Sequence, residues 1–238
     1  MTTFVLVHGF ACDHTDWQSQ IGHLAKRHKV LSPDLRGHGA APGGADDVSI
    51  ENFGADVAKL LEKNDIRGAV LVGHSMGCRV VLQAALDAPD RVGALALIDG
   101  SYLGPAHPVK IDDFSSFARN LFAGMFLAPS AAGEAIIARA EKPPAAVGAA
   151  LFPRMVRWDA ERMAPALAAV KVPMLVVQST YLNAERKRVA MKPGETTPWL
   201  DLVRKQAPRA RIEIITGVGH FPQIEAPEEV NKLLSTMV

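Results

Sequence analysis

The segment Gly73-His74-Ser75-Met76-Gly77 constrains this chain more than any other five residues, because of what stands on either side of it. Before it runs the apolar stretch 69–72, and after it residues 78–86 carry an apolar helical pattern. A strand that becomes a helix within one residue leaves no space for side chains at the flanking positions, so glycine is needed on both sides of Ser75. The turn lifts the Ser75 hydroxyl above the sheet edge and aims the N-terminus of the following helix at it, where developing negative charge is stabilised. Such a turn requires a sheet with helices packed on it.

The rest of the chain supplies that sheet. Short apolar runs at residues 3–7, 29–31, 69–72, 94–98, 174–177 and 212–215 are bounded by turn residues, as buried parallel strands are. Helical patterns over 17–27, 50–63, 77–88, 198–206 and 227–237 alternate with them. The alternation predicts an α/β fold with a doubly wound, mostly parallel sheet of about six strands. With 238 residues, 48% of them hydrophobic, the chain fits one such domain, 1–238. Residues 103–170 interrupt the pattern with an alanine-rich, helix-prone stretch that holds Phe114, Phe117, Leu121, Phe122, Met125 and Phe126. This predicts a small helical lid, inserted within the domain, whose apolar face roofs Ser75.

Charge and cysteine content narrow the partners. There are 26 Lys and Arg against 25 Asp and Glu, a net charge of +1, and no basic cluster interleaved with aromatic residues. Nucleic acid and an anionic membrane are therefore not expected, and a small-molecule substrate is. No apolar run approaches the roughly 20 residues that span a bilayer. The chain enters a strand at once, without the pattern of a signal peptide, so the expected location is cytoplasmic, with Cys12 and Cys78 as free thiols. None of the eight histidines has metal-ligand spacing, so neither a metal nor another cofactor is expected. Oligomeric state has no signature in the sequence.

Four motifs now stand in order: His8-Gly9-Phe10 after the first strand, Pro33 to Gly39 after the second, Gly73 to Gly77 after the third, and Gly219-His220-Phe221-Pro222 before the last helix. In that order they resemble the α/β-hydrolase family over nearly the whole chain outside the lid. The family's usual leading β-hairpin is absent, so the resemblance implies a trimmed sheet. It also implies that Ser75 is a nucleophile on the turn known as the nucleophile elbow. Serine is a poor nucleophile at neutral pH and needs a base within hydrogen-bond reach, oriented by a carboxylate. His220, in a glycine-bearing loop after the last strand, is the candidate base. His8 reads as a buttress of its loop, and His74 as turned away from the chemistry.

The acid has two candidates. In most relatives it follows the strand at 174–177, but here residues 178–183 hold no carboxylate and the first is Glu185. Asp99 ends the strand at 94–98 and precedes Gly100, and some relatives resemble this chain in carrying the acid there. Asp99 is the preferred acid and Glu185 the alternative, with Asp201 behind both. Likeness to the family makes the backbone N–H groups of Phe10 and Met76 the oxyanion donors. Trp17, Phe122, Phe126 and Phe221 are candidates for the substrate pocket, and Asp13 or His14 for contact with a polar end. Asp34 and Arg36 read as a structural link between loops, and residues 186–188 as a solvated run.

The expected function is a serine hydrolase with Ser75, His220 and Asp99 as its catalytic residues. It would cleave a small or medium, mostly apolar ester, lactone or thioester through an acyl-enzyme. Two alternatives stand beside it. One is a cofactor-free lyase or dioxygenase that uses the His220–Asp99 pair as a base. The other is a slow-turnover receptor of the same fold for a small ligand.

Overall fold

Strands that are apolar on both faces are satisfied only between two layers of helix. The computed structural model, which describes residues 1–183, 185 and 187–238, has this arrangement. Its strands are β1 (Thr3–Val7), β2 (Lys29–Leu31), β3 (Ala69–His74), β4 (Val92–Ile98), β5 (Met174–Gln178), β6 (Thr180–Leu182), β7 (Arg188–Ala190) and β8 (Arg211–Ile214). All but β6 and β7 join one sheet in the order β2-β1-β3-β4-β5-β8, with every neighbouring pair parallel. The six strands are those that the apolar runs predict.

The helices are α1 (Gln18–Leu24), α2 (Ile50–Lys63), α3 (Met76–Asp87), α4 (Phe114–Ala123), α5 (Ala131–Ala140), α6 (Ala145–Trp158), α7 (Ala164–Ala169), α8 (Pro198–Gln206), α9 (Pro222–Glu225) and α10 (Pro227–Ser235). Side chains alternate across the sheet. Phe4, Leu6, Val70, Val72, Ala96 and Val177 face one layer, where α1 and α10 add Leu24, Val230 and Leu234. Val5, Val7, Leu71, Leu95, Leu97 and Val176 face the other, covered by α2, α3 and α8. α2 and α8 begin and end where their periodicity predicts. Each has a side-chain cap at its start: Ser49 Oγ accepts from Asn52 N–H, and Thr197 Oγ1 accepts from Leu200 N–H.

Between β4 and β5 the chain leaves the sheet for α4, α5, α6, a π-helical turn over Asp159–Met163, and α7. This insertion is helical, as its composition predicts. Its Phe114, Phe122, Leu151 and Trp158 join the same apolar cluster as α2 and α3.

One segment departs from expectation. β6 and β7 pair antiparallel, with Thr180 opposite Ala190 and Leu182 opposite Arg188. Of the run 186–188 expected in solvent, Arg186 lies outside the described residues and Lys187 is exposed, but Arg188 is only 10% exposed at its side chain. β7 runs back along β6, and Met191 N–H extends their ladder by donating to the C=O of Ser179, the residue that follows β5. That fold carries Arg188 inward. Among the described residues no helix is long and apolar enough to cross a membrane.

Candidate active site

Because the six strands are parallel, the turns that follow β1, β3, β4 and β8 collect at one edge of the sheet, and the motif residues collect with them. β3 turns into α3 at Ser75, which is held at φ +54° and ψ −113°, a region that side-chain-bearing residues rarely occupy. A Cβ on Gly73 would strike the carbonyl of Gly77, and one on Gly77 would strike the carbonyl of Val7. The two glycines are therefore required by close backbone packing beside the turn.

Three side chains form a hydrogen-bonded line there. Asp99 stands directly after β4, at φ +42°, and its carboxylate is fully buried. Its Oδ1 accepts from Ser179 N–H at 2.7 Å and Thr180 N–H at 2.8 Å. Its Oδ2 accepts from Thr180 Oγ1–H at 2.5 Å and from His220 Nδ1–H at 2.6 Å. A carboxylate can only accept, so the imidazole proton sits on Nδ1. Nε2 is then the acceptor for the Ser75 hydroxyl, 2.9 Å away. Glu185, the alternative acid, is 71% exposed at its side chain and pairs with Lys187 in solvent. Asp201 is exposed and pairs with Arg204.

Burial is the largest influence on both titrating groups. It pushes the Asp99 carboxyl up, but the hydrogen bond and charge of His220, the Arg188 charge and the Thr180 hydroxyl outweigh it and hold the group below its usual range. Burial and then the Arg188 charge lower His220 to about 4, against the opposing pull of Asp99. The imidazole is thus neutral at pH 7 and able to accept a proton.

The backbone N–H of Met76 opens α3, where the first turn has no intrahelical acceptor. Among the described residues, neither this N–H nor that of Phe10 donates to a protein acceptor. A cavity of about 920 Å³ lies beside Ser75. Phe10, Phe122, Phe126 and Phe221 line it, with Phe221 stacked on Phe126 at 5.3 Å between ring centres. Trp17 does not line it. Trp17 ends a single 3-10 turn that directs its ring into the apolar cluster on the α1 face, edge-on to His74. Asp13 and His14 are not in its wall either: Asp13 caps that turn and pairs with Arg139, and His14 pairs with Asp34. Arg36 pairs with Asp56 at a distance from the cavity. Among the described residues, no group of three or more His, Cys, Asp or Glu is arranged to hold a metal ion.

Several supporting residues escaped the sequence. His74 is turned from Ser75 as expected, yet its Nε2–H donates to the backbone carbonyl of His220 at 2.7 Å and braces that loop. His8 does brace its own loop, accepting from Leu35 N–H at Nε2. Arg79, one helical turn after Ser75, is buried and forked onto Asp159, with Nε to Oδ1 and Nη2 to Oδ2 both at 2.6 Å. It also donates to the carbonyls of Ser75 and Ser101. The signal was present in Arg79 itself: an arginine in an otherwise apolar, buried helix demands a buried acid.

Comparison with known proteins places the chain in a family. The sequence profile described as "Alpha/beta hydrolase family" matches residues 4–233. The chain is 40% identical over 105 residues to the dihydrolipoyllysine-residue acetyltransferase component of the acetoin cleaving system of Pseudomonas putida, which is 44% of this chain and 28% of that protein. It is 35% identical over 96 residues to a non-heme chloroperoxidase of Streptomyces lividans, covering 40% of this chain and 35% of that protein. The chain thus matches little more than a third of the length of these curated relatives, at most. A solved structure described as Est816, an N-acyl homoserine lactone degrading enzyme, aligns with a TM-score of 0.81 at 26% identity, over 100% of this chain and 93% of that one. A profile match that begins in β1 and ends in α10, on a sheet of this strand order, makes the chain a member of the alpha/beta hydrolase family.

Proposed function

We propose that this protein is a serine hydrolase of small or medium, mostly apolar carboxylic esters, lactones or thioesters. The observation that carries the reading is the line from Asp99 through His220 to Ser75, at 2.6 and 2.9 Å, behind a hydroxyl held in a strained turn. His220 Nε2 takes the hydroxyl proton as Ser75 Oγ attacks the carbonyl carbon. The oxyanion that forms is met by the N–H groups of Phe10 and Met76. Collapse expels the alcohol, thiol or lactone oxygen, which receives the proton from His220, and a water then repeats the sequence on the acyl-enzyme. Residues 103–170 act as a lid, and the aromatic wall they contribute favours an apolar body in the substrate. The likeness to a lactone-degrading enzyme at 26% identity over the whole chain supports the lactone among the substrate types.

The test is hydrolysis of 4-nitrophenyl butyrate. Ser75→Ala is expected to lower kcat/KM by at least about 1,000-fold, and a fluorophosphonate probe to label the wild type but not the variant. Turnover and labelling that persist unchanged in Ser75→Ala would refute the reading. A second reading draws on the acid's position after β4: the His220–Asp99 pair abstracts a substrate proton with no covalent intermediate. Full activity of Ser75→Ala in a lyase or oxygen-uptake assay would favour it.

A further inference from the structure

The proposed mechanism gives no role to one charged group in the cavity wall. Arg188 stands on β7 with its side chain 10% exposed, and it lines the cavity together with Ser75 and His220. Its Nη1–H donates to Thr180 Oγ1 at 2.8 Å. The same nitrogen is 3.7 Å from Asp99 Oδ2, beyond hydrogen-bond reach. Arg188 therefore meets Asp99 as a neighbouring charge and not as a hydrogen-bond donor, the two carboxylate oxygens already accepting four bonds from Ser179, Thr180 and His220. A guanidinium carries five N–H donors in a planar fork. Among the described residues Thr180 alone accepts from it, so the rest of the fork is left to the cavity. The Asp99 carboxylate balances the charge, but guanidinium N–H groups withdrawn from bulk water still call for acceptors.

The other cations of the wall are already engaged. Arg79 is forked onto Asp159, and the exposed Lys110 and Lys187 pair with Asp112 and Glu185 in solvent. No Asp or Glu among the described residues lines the cavity, so nothing in the wall competes for the Arg188 fork. The geometry points to Arg188 as a carboxylate-binding residue. The substrate is then an ester, lactone or thioester with a free carboxylate a few bonds from the scissile carbonyl, its apolar part lying against Phe122 and Phe126. This inference rests on the proposed hydrolysis at Ser75 and deepens it by assigning the substrate one negative charge.

Two esters test it: 4-nitrophenyl hydrogen glutarate and 4-nitrophenyl valerate, whose acyl chains have equal length and differ by the terminal carboxylate. The wild type prefers the glutarate ester in kcat/KM, and Arg188→Met lowers that preference roughly 10- to 100-fold. Arg188→Lys keeps the charge without the fork and recovers part of it; should the methionine variant fail to fold, the lysine variant still shows a reduced preference. The ratio is the quantity read, since a role confined to holding Asp99 would slow both esters alike. An unchanged ratio overturns the inference. If the wild type turns over neither ester, the hydrolase reading fails, and calorimetry with glutarate decides the arginine separately. Binding by the wild type that Arg188→Met loses supports the carboxylate site; no binding by the wild type overturns it.

Discussion

Ser75 holds a backbone conformation that glycine adopts freely, so Ser75→Gly removes the hydroxyl and the strain together, whereas Ser75→Ala removes the hydroxyl alone. Both variants are expected to be inactive on 4-nitrophenyl esters, and urea unfolding should find Ser75→Gly the more stable by roughly 1 kcal/mol, after the larger unfolded-state entropy of glycine is offset. His220 supplies a second prediction. Burial and Arg188 keep its pKa at about 4, so kcat/KM should stay level from pH 8 to about pH 5 and fall only as Nε2 is protonated below that. Brief assays, started from neutral stocks, separate this limb from acid unfolding. Ser75, His220 and Asp99 were legible because each stands at a strand end next to a glycine or in a glycine-bearing loop, where the backbone itself marks the position. The burial of Arg188 and the bond from His74 to the His220 carbonyl were not legible, since each arises only when segments distant in sequence pack together.

At the scale of elements, the Arg79–Asp159 fork ties α3, which begins at Ser75, to the π-helical turn of the insertion. Leu103 N–H donates to the same carboxylate at 2.9 Å, so the start of the inserted segment and its π-helical turn meet at one buried ion pair. Arg79→Met leaves Asp159 charged and unpaired and is expected to cost about 3–5 kcal/mol in urea unfolding. The double variant Arg79→Met/Asp159→Leu should recover much of that loss, and the coupling is read from the double-mutant cycle. α2 and α8 were legible to their ends because caps and periodicity agree. β6 and β7 were missed because each has three residues with no alternation to betray a strand. The insertion showed only its helical character in composition, because the contacts that fasten it to the sheet domain, such as the Arg79–Asp159 pair, join residues 80 positions apart.

For the whole molecule, several imidazoles are buried in the neutral form. Burial takes His8 and His74 from an ordinary 6.5 to about 3, and also lowers His38 and His220. The unfolded chain therefore binds more protons than the folded one below about pH 6.5, and stability drains away as the pH falls from there toward 4. Asp16 and Glu225, which burial pushes up, act in the opposite sense over part of that range. The expected outcome is a lower urea midpoint at pH 5 than at pH 7.5. One consequence of the six-strand polarity remains. Since every strand of the main sheet points its carboxyl end toward Ser75, the turns that lead into β3 and β4 form the far rim, where Arg67 and Asp90 pair in full view of solvent. A tether attached at that rim would immobilise the protein in a single orientation on a support, its aromatic cleft turned to the bulk liquid.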